Sequence, residues 1–356
     1  MLTVYSEQLL KAIARIAPGT ELREGLERIM RGRTGALIVL GSDKTVSALS
    51  SGGFEINADF TPTNLRELAK MDGAIVCDKD VKMLLNAGVQ LMPDASLPTN
   101  ESGTRHRTAH RVAQQTGFPV IAVSASTQMI SVYVDGQRYT IENTQSLMSR
   151  ANQAIQTLES YMSRLEQVLS SLSSLEIEGS VTLRDVVSAV QRMEMVRRIS
   201  IEAEYYVLEL GTHGRLVALQ LEELRSHTLP GADVILRDYM PASVDQATIS
   251  ESIAALAALE DKDSIDLTEI ARACGFGTLD MEDSLSPHGY RLLAGIKSMP
   301  GAIADRLVAQ FDGLPSLMAA SIDELRAVDG IGEQRARIIR ESLSRMAESS
   351  LLERFM

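Results

Sequence analysis

The feature that most constrains this chain is a change of apolar period near residue 145. Before it, short uninterrupted apolar runs alternate with segments of helical spacing; beyond it such runs stop and apolar residues recur every three or four positions. The first part must therefore build a sheet covered by helices, and the remainder must build helices alone. Expected strands are 35–41 (GALIVLG), 73–78 (GAIVCD), 119–125 (PVIAVSA) and 130–136 (ISVYVDG). They are apolar without polar alternation, which predicts burial on both faces. Helices are expected over 65–71 and 105–117, the second stopping at Gly117, two residues ahead of Pro119. The stretch 93–104 (PDASLPTNESGT) has turn-forming residues and no period, so it reads as a loop.

In the helical part, Leu147, Ala151, Ala154, Leu158, Tyr161, Leu165, Val168 and Leu172 alternate steps of four and three, a heptad seam. Such a seam serves either self-association or internal packing on 181–199. Breaker-rich stretches at 226–246 and 274–290 end the acidic helical region, and a compact unit is expected from about Pro287. Within it, 294–311 and 325–343 share one plan, helix, Pro/Gly or Gly-x-Gly turn, helix, which is an internal duplication.

Net charge is −12, but residues 1–150 carry 16 Lys+Arg against 15 Asp+Glu, residues 151–286 carry 10 against 23, and 287–356 carry 9 against 9. A polyanion is therefore expected to meet one of the two ends. Two cysteines, Cys77 and Cys274, exclude a disulfide framework or four-ligand zinc site and predict a reducing, cytoplasmic setting. Neither a secretory leader nor an 18-residue apolar span is evident, so no membrane role is expected.

Two constellations carry chemistry. In the second C-terminal copy, Val328, Asp329, Gly330, Ile331, Gly332 and Ala336 give h-x-G-h-G-x-x-x-A, with Arg335, Arg337 and Arg340 just beyond. Glycines let a hairpin backbone approach a phosphate, and N–H groups opening the next helix face the anion. That combination grips a DNA backbone without reading bases; the alternative is a plain αα-hairpin with a solvated charged face. The segment resembles the tandem helix–hairpin–helix domains of Holliday-junction and repair proteins. In the first copy Gly301 is kept, but Ile303 is read at the second glycine's place, and Gln334 replaces a common lysine in the second.

At the N-terminal end, Gly103, Thr104, Arg105, His106 and Arg107 fall at a loop-to-helix junction, where a capping hydroxyl, free N–H groups and two guanidinium groups converge. This is a polyphosphate cradle of a kind other than a P-loop, since no G-x-x-x-x-G-K-[ST] occurs. His106 and His110 have metal-pair spacing, but Arg105, Arg107 and Arg111 argue against a cation there. Asp72, Gly73 and Ala74 open an apolar strand: a carboxylate able to hold Mg²⁺ or Mn²⁺ and prepare a hydroxyl, then a glycine that admits a base or ribose. Ser124 and Ser126 end the next strand.

With DGA and RHR intact, and with the flanks LREGLERIMRGRTGALIVLG and GTRHRTAHRVAQQTG, residues 1 to about 140 resemble the diadenylate cyclase family. The order cyclase, helical spine, hairpins resembles its DNA-binding members over nearly the whole chain. The resemblance implies a multidomain protein: an α/β cyclase domain with a mixed central sheet flanked by helices over 1–142, an all-α linker or spine over 143–286, and an all-α tandem helix–hairpin–helix domain over 287–356. It implies condensation of two ATP into cyclic di-AMP across facing domains of a homo-oligomer, an octamer, with branched DNA as partner. By position, Asp72 binds the metal and readies the ribose 3′-hydroxyl. Gly73, Ala74 and Leu91 flank adenine and ribose, and Gly103, Thr104, Arg105, His106, Arg107 and Ser124 hold the triphosphate. Gly301, Gly330, Ile331, Gly332, Arg335 and Arg337 meet DNA. The rival reading is a structural DNA-binding component with a nucleotide-sensing N-terminal domain.

Overall fold

The computed structural model describes residues 6–226, 231–241, 243–296 and 299–353. Within the breaker-rich stretch 226–246, residues 227–230 and 242 lie outside the described residues, as do Lys297 and Ser298 of the first hairpin. The described chain falls into two compact units, one from residues 6–153 and 203–221, the other from 154–202 and 222–353.

The first unit is built on β1 (Ala36–Leu40), β2 (Ser50–Ser51), β3 (Phe54–Asp59), β4 (Ala74–Cys77), β5 (Met83–Leu91), β6 (Val120–Val123), β7 (Ile130–Val134) and β8 (Gln137–Thr140). The order is β2-β5-β4-β1-β6-β7-β8, with β3 also on β5; only β1 and β4 pair in parallel, so the sheet is mixed. All four expected strands are present and buried along their whole length. Period two divides them between two cores. Ala36, Ile38 and Leu40 join α1 (Glu7–Ile16), α2 (Glu21–Arg31) and α4 (Pro62–Leu68) on one face. Leu37 and Val39 join α3 (Lys44–Leu49) and α5 (Thr104–Thr116) on the other. Truncating a fully buried residue such as Ile38 would cost about 2–5 kcal/mol.

The local differences have identifiable causes. The helix expected from 65 begins at Pro62, because Thr61 accepts a hydrogen bond from the Asn64 N–H and Pro62 occupies the first turn. Strand β3 lies at the sheet edge with mostly exposed residues, so it carries no apolar run. Strand β8 follows β7 through Asp135-Gly136, both at positive φ (51° and 69°), a two-residue hairpin turn. Helix α5 ends as expected, with Gly117 at φ 71° and its N–H donating to the Ala113 carbonyl.

Helix α6 (Thr144–Glu178) carries the heptad seam, and Leu147, Ala151, Leu158, Leu165 and Leu172 are buried within the single chain. In the second unit Leu165, Leu169 and Leu172 share a core with Val186, Val187, Val190 and Met193 of α7 (Leu183–Leu210). The seam is thus used in internal packing. Helix α8 (Arg215–Ser226) follows α7 after a 3₁₀ turn, and α9 (Ala232–Tyr239), α10 (Gln246–Ala258) and α11 (Leu267–Ala273) complete this core.

A separate core in the same unit is made by α12 (Tyr290–Ala294), α13 (Gly301–Gln310), α14 (Gly313–Ala319), α15 (Ile322–Arg326) and α16 (Glu333–Glu353). A buried polar joint connects the two. Asp238 accepts from the N–H groups of Gly289, Tyr290 and Arg291, opening α12. Arg291 in turn pairs with Glu176, which also accepts from the Tyr239 hydroxyl at 2.6 Å. The cysteines are core residues: burial pushes the Cys77 and Cys274 thiols up to about 12.

Candidate active site and hairpin surface

The two N-terminal motifs meet at one end of the sheet. In the parallel pair β1–β4, Ile38 is level with Ile75, so Gly35 and Asp72 both lie ahead of the same end of the two strands. In the antiparallel pair β1–β6, Ala36 is level with Val123, which sets Gly35 beside Ser124. The Arg105 guanidinium lies against Gly35, where an added Cβ would be 2.2 Å from its Nη1. Adjacent strands are about 4.8 Å apart. Asp72 precedes β4, Ser124 follows β6, and the Arg105 guanidinium, carried on α5, lies against Gly35 ahead of β1, all at the same end of three neighbouring strands.

Gly73 shows why this position takes only glycine. Its φ is +111°, and a Cβ would sit 2.6 Å from the Gly88 carbonyl carbon. Backbone of β4 and β5 therefore touch beside Asp72, whose side chain is exposed and makes no hydrogen bond or ion pair with described residues. Ala74 is 1% and Leu91 8% exposed, with side chains in the core under α5, so any contact these positions make with a nucleotide falls to their backbone. Ala74 can offer only backbone; beyond Leu91 the exposed side chain is Met92.

Helix α5 is capped differently from the expectation. Gly103 is the N-cap and Thr104 the first helical residue, so the threonine hydroxyl caps nothing and the first-turn N–H groups lack a side-chain acceptor. Arg107 donates to the Ser102 carbonyl at 3.2 Å. His106 Nδ1 lies 2.8 Å from the hydroxyl of Tyr133, itself fully buried. Burial, then Arg138, holds the His106 ring below its ordinary pKa. His110 Nδ1 meets Thr99 and its Nε2 meets the Gly136 carbonyl, so both ring nitrogens are engaged in hydrogen bonds. The outer face of α5 also fixes the preceding loop, through Arg111 Nε to the Leu97 carbonyl at 2.9 Å and the Asp94 N–H to Gln115. Ser124 is half-buried and 3.2 Å from Ser126. Sequence reasoning missed Gly35, Gly88 and Tyr133; a glycine opening an apolar run was the available signal for the first.

The donor set suits a hard divalent cation that arrives with a substrate. Mg²⁺ is commonly held by one or two carboxylates plus phosphate oxygens, and Asp72 supplies one free carboxylate. Among the described residues no group of three His, Cys, Asp or Glu side chains forms a cage for a metal.

In the hairpin region, the turn between α15 and α16 has Gly330 at φ +85°, packed under Arg306 and Ile303. Arg306 donates to the Asp329 carbonyl at 2.7 Å, tying the first copy to the second. Gly332 is exposed, with nothing within 4 Å of an added Cβ, as is Gly301. Arg335 donates to the Gly330 carbonyl and Arg337 pairs with Glu333. Ile331 is 6% exposed with its side chain in the core, so the contact expected of it falls to its backbone. One assignment needs correction. Ile303 is likewise buried inside α13; since Gly301 opens α13 as Glu333 opens α16, Pro300 is the counterpart of Gly332 in the first copy.

Comparison with known proteins gives the family. A family model described as the DisA bacterial checkpoint controller nucleotide-binding region matches residues 23–138, and one described as the DisA linker region matches 141–281. The DNA integrity scanning protein DisA of Kineococcus radiotolerans is 54% identical over 352 residues, covering 98% of each chain. That of Streptomyces coelicolor is 53% identical over 356 residues, covering 99% of this chain and 95% of the relative. With the carboxylate and guanidinium motifs at one sheet end and relatives matched along nearly the full length, this chain belongs to the DisA family of DNA integrity scanning proteins and carries its diadenylate cyclase domain.

Proposed function

We propose that the chain joins two ATP molecules into cyclic di-AMP with release of two pyrophosphates, across a face-to-face pair of cyclase domains. The observation that carries this reading is the free, exposed Asp72 carboxylate one strand away from the Arg105 guanidinium over Gly35. Asp72 accepts the 3′-hydroxyl proton as that oxygen bonds to the α-phosphorus of the opposite ATP, and the bond from this phosphorus to the pyrophosphate oxygen breaks; the second half repeats the step. Arg105, Arg107, Thr104 and the uncapped first-turn N–H groups of α5 hold the triphosphate, and Ser124 adds a donor. Tyr133 orients His106. Mg²⁺ or Mn²⁺ on Asp72 supplies charge neutralisation at the phosphates when bound. Most of the acceleration then comes from alignment and fixed charge. One domain holds one ATP, so the active form is a homo-oligomer of even number; the family resemblance makes it an octamer.

The domain division 1–142, 143–286 and 287–356 belongs to the same proposal, as does a cytoplasmic setting; among the described residues no helix is long and apolar enough to cross a membrane. The last domain holds DNA, branched forms included, by its backbone. This is supported by the bare, exposed Gly332 ahead of α16 and by the fastening of the two helix pairs through Arg306. With no net positive charge in residues 287–356, several copies are needed for useful affinity.

The test is purified protein with ATP and Mg²⁺ or Mn²⁺. Cyclic di-AMP is expected from the wild type. Asp72→Asn should lose turnover by at least about a thousandfold while ATP binding stays near wild type. Absence of product from the wild type, or near-normal turnover by the variant, refutes the assignment.

A further inference from the structure

Between Asp94 and Asp135 the sequence holds one acidic residue, Glu101, and it stands two residues ahead of Gly103, the N-cap of α5. A carboxylate at that place competes for the open first-turn N–H groups and for the arginines of the RHR motif. The positive end of the helix attracts it, and its charge repels an incoming anion. It needs a partner that takes it out of the competition.

Arg138 of β8 is that partner. Its Nη1 donates to both Glu101 oxygens, at 3.1 and 3.3 Å, and its Nε donates to the Ser131 hydroxyl at 3.2 Å. Arg138 is level with Tyr133 across the β7–β8 pair, and Ser131 is two residues from Tyr133 on β7 and fully buried. The guanidinium is therefore fixed by the sheet, and it holds the Glu101 side chain at 16% exposure while the first-turn N–H groups of α5 stay without a side-chain acceptor. The pair lies beside the RHR motif. After burial, Arg138 and Glu101 are the strongest influences on both the His106 ring and the Tyr133 hydroxyl; Arg138 lowers each pKa and Glu101 raises it.

We infer that Arg138 is a positioning residue of the nucleotide site: by pairing with Glu101 it keeps that carboxylate away from the start of α5, so that the open N–H groups, Arg105 and Arg107 are left to the triphosphate. This rests on the reading of that helix start as the triphosphate cradle. Arg138 touches no phosphate in this assignment, and its effect passes through Glu101. An ion pair so near the surface adds little to the stability of the fold. The repulsion it prevents is larger: like charges about 6 Å apart, at an effective dielectric of about 20, lower affinity at least about tenfold.

The full-length protein is titrated with 3′-deoxy-ATP, which cannot react, and separately with inorganic tripolyphosphate, which has no base, both with Mg²⁺. Arg138→Met should weaken both probes about tenfold or more, and Arg138→Lys, which keeps the charge, should lose less. Adding Glu101→Gln to Arg138→Met should restore affinity to that of Glu101→Gln alone, because the freed carboxylate is what opposes binding. Arg138→Gln gives the same comparison if Arg138→Met does not fold. Unchanged binding in Arg138→Met overturns the assignment, and so does a loss confined to 3′-deoxy-ATP. A double variant as weak as Arg138→Met, or weaker, also overturns it, since the pair would then only hold the loop in place. Wild-type protein that binds neither probe overturns this assignment and the cyclase reading together; wild-type binding without rescue in the double variant overturns this assignment alone.

Discussion

Gly73→Ala tests the central geometric claim, that β4 and β5 touch backbone to backbone beside the carboxylate. The new methyl group would lie 2.6 Å from the Gly88 carbonyl carbon and 2.9 Å from its Cα and oxygen, at φ +111°. A conformation of this kind costs a residue bearing a Cβ about 1–3 kcal/mol. Carbon atoms settle near 3.5 Å, so the strands must also part by about 0.9 Å, next to the Ala74–Val89 pair. Together these effects should destabilise the first unit by about 3–4 kcal/mol, a fall of roughly 10 °C in Tm at the usual scaling. A carboxylate displaced by about 1 Å should also lose about a hundredfold in turnover. Gly52→Ala is the control: its φ is +66°, but nothing lies within 4 Å of the added Cβ, so it pays conformational strain of about 1–2 kcal/mol and keeps its turnover. The assays are thermal unfolding by circular dichroism and cyclic dinucleotide formation. If Gly73→Ala matches Gly52→Ala in both, the close approach of the strands is not what this position requires.

Gly35→Ala meets the far end of a flexible side chain, Arg105 Nη1 at 2.2 Å; the guanidinium should swing away, raising the KM for ATP about tenfold with Tm within about 1 °C of wild type, and a collapse of Tm would count against a mobile Arg105. Gly332→Ala has open space around the new methyl group, so unfolding should be unchanged while DNA affinity, measured by fluorescence anisotropy at fixed salt, drops severalfold; unchanged affinity would remove that turn from the DNA surface. Burial first, then Glu176, pushes Asp238 up to about 6 from an ordinary 3.8. A carboxyl whose folded pKa is raised contributes stability present below its ordinary value and lost as pH rises through 6. The second unit should therefore gain Tm between pH 7 and pH 5, Asp238→Asn should flatten that slope, and an equal slope in both proteins would contradict the assignment.

The four central strands, the helix after the polyphosphate loop, the long helices and the second hairpin's glycine turn were legible in the sequence, because each of these declares itself in a local period or a turn residue. It also named the residues able to carry chemistry: a carboxylate before a glycine, and arginines at a helix start, need no tertiary information to be recognised. It is silent where local pattern is silent. Leu91, Ala74 and Ile331 sit within motifs while their side chains point into cores, and only the pleat of the sheet and the packing of α16 decide that. Thr104 looks like a cap until the helix is seen to begin one residue earlier than a cap requires. Edge strand β3 has no apolar run because it has only one covered side, so it goes unnoticed.

The juxtaposition itself comes from the folded chain. Asp72, Gly35, Arg105, Ser124 and Gly88 are spread over nearly ninety residues, and it is strand order and register that bring them to one sheet end. The physical reason is that hydrogen-bonded pairing fixes neighbours across the sheet by long-range contacts, whereas periodicity along the chain reports only which face of its own element a residue occupies.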